Sequence, residues 1–192
     1  MSANDSFSLG DLCDSLCLCG EIAQKNIHHR GTEIAQRTTE RIHEVHAKNS
    51  PVMLRLLQSH LNDLIEHARQ AAPRECCGLI GGRDARSRTV YPLLNIAADP
   101  LVTYEAAPED LFAAQRAMRD RGEQLLAIYH SHPRSIGPYP SETDIRLAYY
   151  PSAVYFIVGL AGEAPCLRAF RISEREGRWE SAAYEIVTDA DH

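Results

Sequence analysis

The sequence predicts an α/β chain in the broad α+β sense, a mixed β-sheet with helices packed on it. Three observations predict it. Apolar residues recur at three- and four-residue steps in some stretches and as short continuous runs in others. The two kinds alternate in the order α-β-β-α-β-α-β-β-β, which fits neither a bundle nor a sandwich. One run, residues 153–160, is β-branched and aromatic and too apolar for a sheet edge, so it reads as a central strand.

Each element has its own reason. From Leu54 onward, Leu57, Leu61, Leu64, Ile65 and Ala68 form one helical stripe, and Pro73 ends it. Residues 76–80, 89–94 and 124–129 are short apolar runs separated by turn residues, hence strands; Gly81-Gly82 follows the first of them. Residues 108–121 make a second helix, with Pro108 in the first turn, Glu109 and Asp110 favouring the dipole and Gly122 as a left-handed stop. Leu111, Phe112, Gln115 and Met118 are expected on one side of it. A third helix is expected over residues 141–149. Two more strands, residues 167–172 and 179–187, flank the charged stretch 173–177. Trp179 and Tyr184 read as packing residues of an outer strand. Tyr149, Tyr150 and Tyr155 read as core residues or, alternatively, as cleft walls. Arg83, Asp84, Arg86 and Arg88 read as a solvated charged turn.

Residues 1–52 read differently. They hold Cys13, Cys17, Cys19 and His28, His29, His43, His46, no Trp or Tyr, and a short echo, Glu21-Ile22-Ala23-Gln24 against Glu33-Ile34-Ala35-Gln36. So sparse an apolar stripe gains little from packing. The expectation is a poorly structured arm over 1–52, followed by a domain over 53–192. Because Met53 directly precedes a well-formed pattern, a start assigned too far upstream is the alternative. Cys-x3-Cys-x-Cys is not the paired spacing of a structural zinc site.

Composition narrows the function classes. The 192 residues are 44% hydrophobic and 24% charged, and 20 Lys plus Arg against 26 Asp plus Glu leave a net charge of −6. A negative field disfavours nucleic acid and anionic membranes. No stretch approaches a membrane span, and no basic, apolar leader opens the chain. The six cysteines show no disulfide framework, so reduced thiols and a cytoplasmic location are expected. The oligomeric state is not legible.

The chemistry concentrates at His130-Ser131-His132-Pro133, followed by Ser141 and Asp144. Side chains two apart on a strand share a face, so both imidazoles can reach one point. Two imidazoles, a carboxylate and an open fourth position are the ligands of a catalytic zinc site. A purely structural reading also exists: Ser141-Glu142-Thr143-Asp144 is a helix-capping pattern, and strand-end histidines are often core residues. Glu75, before the first strand, is the candidate base if that strand neighbours the histidine strand. Otherwise it is a solvated acid beside Arg74.

Glu75, His130-Ser131-His132-Pro133 and Ser141-x-x-Asp144 together resemble the JAMM motif of the MPN-plus, M67-type metalloproteases. The resemblance covers about residues 54–187, and Glu75-Cys76-Cys77-Gly78 resembles the first strand of the compact bacterial members. It implies a JAMM/MPN-like, cytidine-deaminase-like fold and Zn2+ held by His130, His132 and Asp144. It further implies Glu75 as the base that activates water and Ser141 as donor to the oxyanion. Eleven residues separate His132 from Asp144, one more than the family's usual spacing, which a loop can absorb.

The resemblance implies cleavage of a peptide or isopeptide bond after the C-terminal Gly-Gly of a ubiquitin-like sulfur-carrier protein. Two alternatives stand beside it: a non-catalytic MPN-type scaffold that binds a ubiquitin-like partner, and a thiol hydrolase using Cys76 or Cys77 with His130.

Overall fold

A computed structural model of the chain describes residues 53–190, so the expectations for residues 1–52 lie outside the described residues. In chain order the elements are β1 (Leu54–Leu57), α1 (Gln58–Ala71), β2 (Cys77–Arg83), β3 (Arg86–Leu93), α2 (Pro108–Asp120), β4 (Gln124–His132), α3 (Glu142–Arg146), β5 (Val154–Gly159), β6 (Cys166–Ser173), β7 (Arg178–Ser181) and β8 (Tyr184–Val187). The eight strands form one mixed sheet in the order β7-β6-β5-β4-β2-β3-β1-β8. β4 and β5 are parallel, as are β1 with β3 and β1 with β8; the remaining neighbours are antiparallel.

Alternation along the inner strands supplies two cores. Ile80, Ala127, Tyr129, Val154, Phe156 and Val158 face α1, whose Leu61, Leu64, Ile65 and Ala68 pack on them. Leu79, Ile128, Tyr155, Ile157 and Phe170 face the other way, toward Leu111, Ala114 and Met118 of α2. β5 therefore has apolar residues on both faces and a strand on either side, as a central strand must. A Cβ at Gly78 would collide with the Tyr129 ring, so glycine there lets Tyr129 pack across β2.

Ser181 and Tyr184 are separated by two residues, yet β7 and β8 are the two edge strands. Three Cα–Cα steps reach about 11 Å, whereas eight flat strands would span about 34 Å. The sheet is therefore curled until its edges approach. Contacts across that closure agree: Tyr184 Oη–H of β8 donates to Leu167 O of β6 at 3.1 Å, and the Tyr184 ring meets Phe156 edge-on.

Several expectations are corrected. Residues 54–57 are a strand, because Leu54 and Leu56 enter the core while the backbone pairs with β8; the helix begins at Gln58. The run 179–187 divides at Ala182-Ala183 to reach both edges. Gly81 and Gly82 lie within β2, where bulges interrupt the pairing, and the turn falls at Asp84 and Ala85, both with positive φ. Arg86 is not solvated: it is buried, and its guanidinium donates to Thr188 O at 3.3 Å. Phe112 and Gln115 face solvent, since Leu111, Ala114 and Met118 already cover the sheet. α3 stops at Arg146.

Tyr155 is core, as read, and Tyr149 and Tyr150 are exposed. All three line a largely apolar groove of about 750 Å³, together with Leu79, Val102, Tyr104 and Thr143. Trp179 lies on an edge strand against Tyr139 and Phe170.

Candidate metal centre and its surroundings

β4 runs between β2 and β5 and ends at His132. Strand periodicity turns His130 and His132 to the same side, His130 fully buried and His132 partly so. Their Nε2 atoms stand 3.1 Å apart. The chain then turns through residues 133–140, with Ser135 N–H on His132 O at 2.9 Å and Ser135 O accepting Ala161 N–H at 3.2 Å. Pro138 is fully buried beside Gly159. This packing absorbs the extra residue and delivers Ser141 and Asp144 at the start of α3.

Asp144 is buried, with Oδ1 3.3 Å from His130 Nε2 and Oδ2 3.3 Å from His132 Nε2. Ser141 and Asp144 form a capping box. Ser141 Oγ accepts the Asp144 amide at 3.1 Å, and the Ser141 amide donates to Asp144 Oδ2 at 2.7 Å. The Ser141 hydroxyl also donates to Oδ2 at 2.7 Å, so the hydroxyl itself, and not only the backbone, makes the cap.

Glu75 reaches the group from another part of the chain. β2 pairs with β4, placing Cys77 opposite His130, and Ser131 extends the seam: its Oγ accepts Cys76 N–H at 2.9 Å and its amide donates to Cys76 O at 3.2 Å. Glu75 is 5% exposed, with Oε1 3.9 Å from His132 Nε2. That burial removes the solvated-acid reading. All five residues singled out in the sequence thus lie together.

The donor set fits a zinc ion. One nitrogen from each imidazole and one carboxylate oxygen lie within 4.8 Å of one another. Zinc bonds of about 2.0–2.1 Å place the donors of a tetrahedron about 3.3–3.4 Å apart. The imidazole nitrogens stand 3.1 Å apart, and each lies 3.3 Å from a different oxygen of the Asp144 carboxylate. Two imidazole nitrogens and one carboxylate are donors such an ion prefers.

Electrostatics divide the group. Burial lowers the His130 pKa against the opposing pull of Asp144, which favours the neutral ligand form. Burial acts the same way on His132, but the hydrogen bond and charge of Asp144, with the charge of Glu75, outweigh it and hold that imidazole up. Burial disfavours the charged form of Asp144, yet both histidines and the Ser141 amide hold it well below the usual carboxylate range. Burial pushes Glu75 up to about 7, with His132 opposing and Asp144 adding. A carboxyl near neutrality can take up and return a proton.

The thiols are unsuited to catalysis. Burial pushes Cys76 up to about 11 and Cys77 up to about 12, and the two side chains enter opposite cores.

Three neighbours were not assigned roles from the sequence. Ser131 lay inside the recognised motif. Tyr104, stacked on His130 with ring centroids 4.6 Å apart, and Asn95, bonded to Glu75 O at 2.9 Å, sit in a stretch with no diagnostic spacing.

The family described as prokaryotic homologs of the JAB domain matches residues 57–173. A probable TtuB-protein conjugate cleaving protease of Thermus thermophilus is 41% identical over 59% of this chain and 72% of its own length. A CysO-cysteine peptidase of Mycobacterium tuberculosis is 35% identical over 51% of this chain and 67% of its own. A solution structure from Desulfitobacterium hafniense superposes with TM-score 0.65 at 34% identity, covering 73% of this chain and 97% of that one.

Proposed function

The chain belongs to the prokaryotic homologs of the JAB domain, and from that premise we propose that residues 53–192 act as a zinc-dependent peptidase. The bond cleaved is a peptide or isopeptide bond following the Gly-Gly end of a ubiquitin-like sulfur-carrier protein. The observation that carries the chemistry is the convergence of His130, His132 and Asp144, with Glu75 3.9 Å from His132. The relatives named for cleaving a TtuB–protein conjugate and for a CysO-cysteine bond support the substrate class.

His130, His132 and Asp144 would hold the ion. Zinc, when bound, supplies Lewis-acid polarisation of the scissile carbonyl and a nucleophile at neutral pH. Glu75 takes the proton released by the attacking water and returns it to the departing amine. The Ser141 hydroxyl, committed to Asp144 in this structure, rotates to donate to the oxyanion, a contribution of about 3 kcal/mol. A glycine tail suits the approach because it can lie extended along a narrow cleft without side chains to accommodate.

Asp144 stands 3.3 Å from each imidazole, so the longer loop does not withdraw it from the histidines; a scaffold that binds a ubiquitin-like partner with the group intact is separated from the peptidase by turnover. No helix among the described residues is long and apolar enough to cross a membrane, and Cys76, Cys77 and Cys166 are unpaired. Free thiols support a cytoplasmic setting.

The test incubates zinc-loaded protein with ubiquitin-fold carriers bearing C-terminal extensions and follows their intact masses. Loss of the extension, arrested by chelation and in His132→Ala and Glu75→Gln, is the expected result. Cleavage that persists after zinc removal overturns the proposal, as does a stable complex with uncleaved carrier.

A further inference from the structure

Glu75 belongs to neither the helix before it nor the strand after it: α1 ends at Ala71 and β2 begins at Cys77. Its backbone is not carried by a regular ladder, so other groups must set the direction of its carboxyl. Two are present. The Glu75 amide donates to Pro100 O at 2.7 Å, and the Glu75 carbonyl accepts from Asn95 Nδ2 at 2.9 Å.

Asn95 does more than meet that carbonyl. Its Nδ2 donates a second hydrogen to Thr103 O at 3.1 Å, while its Oδ1 accepts the amides of Ala97 and Glu105, each at 3.0 Å. Two donors and two lone pairs are the whole capacity of a primary amide, and here all four are used on backbone groups. The backbone around it closes in the same sense, with Asn95 bridging Ala106 and Ile96 N–H on Glu105 O at 2.8 Å. Between the two residues Asn95 grips at 103 and 105 stands Tyr104, whose ring lies on His130 with planes 26° from parallel. One amide therefore links the backbone of the candidate base to the aromatic wall over a candidate ligand.

Resting on the reading of Glu75 as the base, we propose that Asn95 is a positioning residue that sets where the Glu75 carboxyl stands relative to the His130–His132–Asp144 group. No other side chain of its length offers both donors and a doubly accepting oxygen. Aspartate would face two carbonyl oxygens with no hydrogen to offer. Serine cannot reach four partners, and alanine leaves all four unmet. Asn95 touches none of the candidate ligands and acts only through Glu75 and the 95–106 backbone.

The experiment uses the full chain in four forms: wild type, Asn95→Ala, Glu75→Gln and the double variant. Each is zinc-loaded and assayed by intact mass against a carrier with a C-terminal extension. Expected for Asn95→Ala is a fall in kcat of about 10²-fold, the scale of a misplaced catalytic group, with KM little changed and one zinc per chain retained. In the Glu75→Gln background the same change adds less than about threefold, because groups acting as one unit do not add. Losses that multiply in full, or a rise in KM with kcat kept, overturn the proposal. Asn95→Asp keeps the two accepted bonds, loses the two donated ones, and is expected to move in the same direction; it serves if Asn95→Ala does not fold. Independently of turnover, amide hydrogen exchange on the zinc-free chain should accelerate at Glu75, whose carbonyl loses its donor in Asn95→Asp, while Glu105, still bonded to the side-chain oxygen, and Ser131 stay protected. Unchanged exchange at Glu75 overturns the proposal by itself. Equal activity in wild type and Glu75→Gln instead refutes the reading of Glu75 and leaves the exchange result to decide whether Asn95 holds it.

Discussion

The hydroxyl of Ser131, the residue between the two imidazoles, accepts the amide of Cys76 at 2.9 Å. Both groups are buried, and the bond closes the seam between β4 and the segment carrying Glu75. Ser131→Ala leaves that amide without its acceptor, at a cost of about 1–3 kcal/mol. Urea unfolding should show this loss with an unchanged denaturant slope, and turnover should fall as Glu75 loosens. Wild-type stability in Ser131→Ala would remove the seam from the account.

The loop between His132 and Ser141 closes on Gly159. A Cβ there would stand 2.5 Å from Ser135 O and 2.9 Å from Pro138 Cδ, so backbone or a buried ring must move. Gly159→Ala is expected to displace the loop that delivers Asp144 and to weaken zinc binding by about 10–100-fold, the scale seen when the support of a ligand is lost. Competition with a chromophoric chelator measures it; wild-type affinity would show that the loop tolerates the shift.

Cys76 and Cys77, pushed up to about 11 and about 12, are almost wholly protonated at neutral pH. Iodoacetamide at pH 7 should leave both unmodified by peptide mapping, and turnover should be unaffected by the treatment. Rapid alkylation of either residue with parallel inactivation would restore a thiol mechanism.

His60 governs part of the acid stability. It is buried, its Nδ1 is 2.8 Å from Ser87 Oγ, and burial lowers its pKa from 6.5 against the opposing charges of Asp63, Asp189 and Glu123. The folded state then binds this proton less readily than the unfolded chain. Its contribution is fully present above 6.5 and is lost as pH falls through the lowered folded value. Urea midpoints measured from neutral pH downward should decline less steeply in His60→Gln than in wild type. Identical slopes would exclude His60 as the source.

Legibility followed the range of the interactions. The His130–His132 pair could be read because strand alternation needs only two residues, and the Ser141–Asp144 cap because its bonds close within one turn. The central position of β5 was written in its own apolar run. Leu54–Leu57 was misassigned because three leucines around Arg55 fit either a helix or a strand, and the deciding partner, β8, lies at the far end of the described chain. The division of β7 from β8 was hidden for the same reason.

The chain by itself determined which side chains were available to bind a cation and that two imidazoles and a capped carboxylate would each be locally presented. Only the tertiary structure decided that they meet. Pairing of β2 with β4 brings Glu75 to His132, and burial on Pro138 and Gly159 carries Asp144 across the longer loop. Asn95 was invisible beforehand because its four bonds go to backbone atoms, which every residue carries and no spacing can mark.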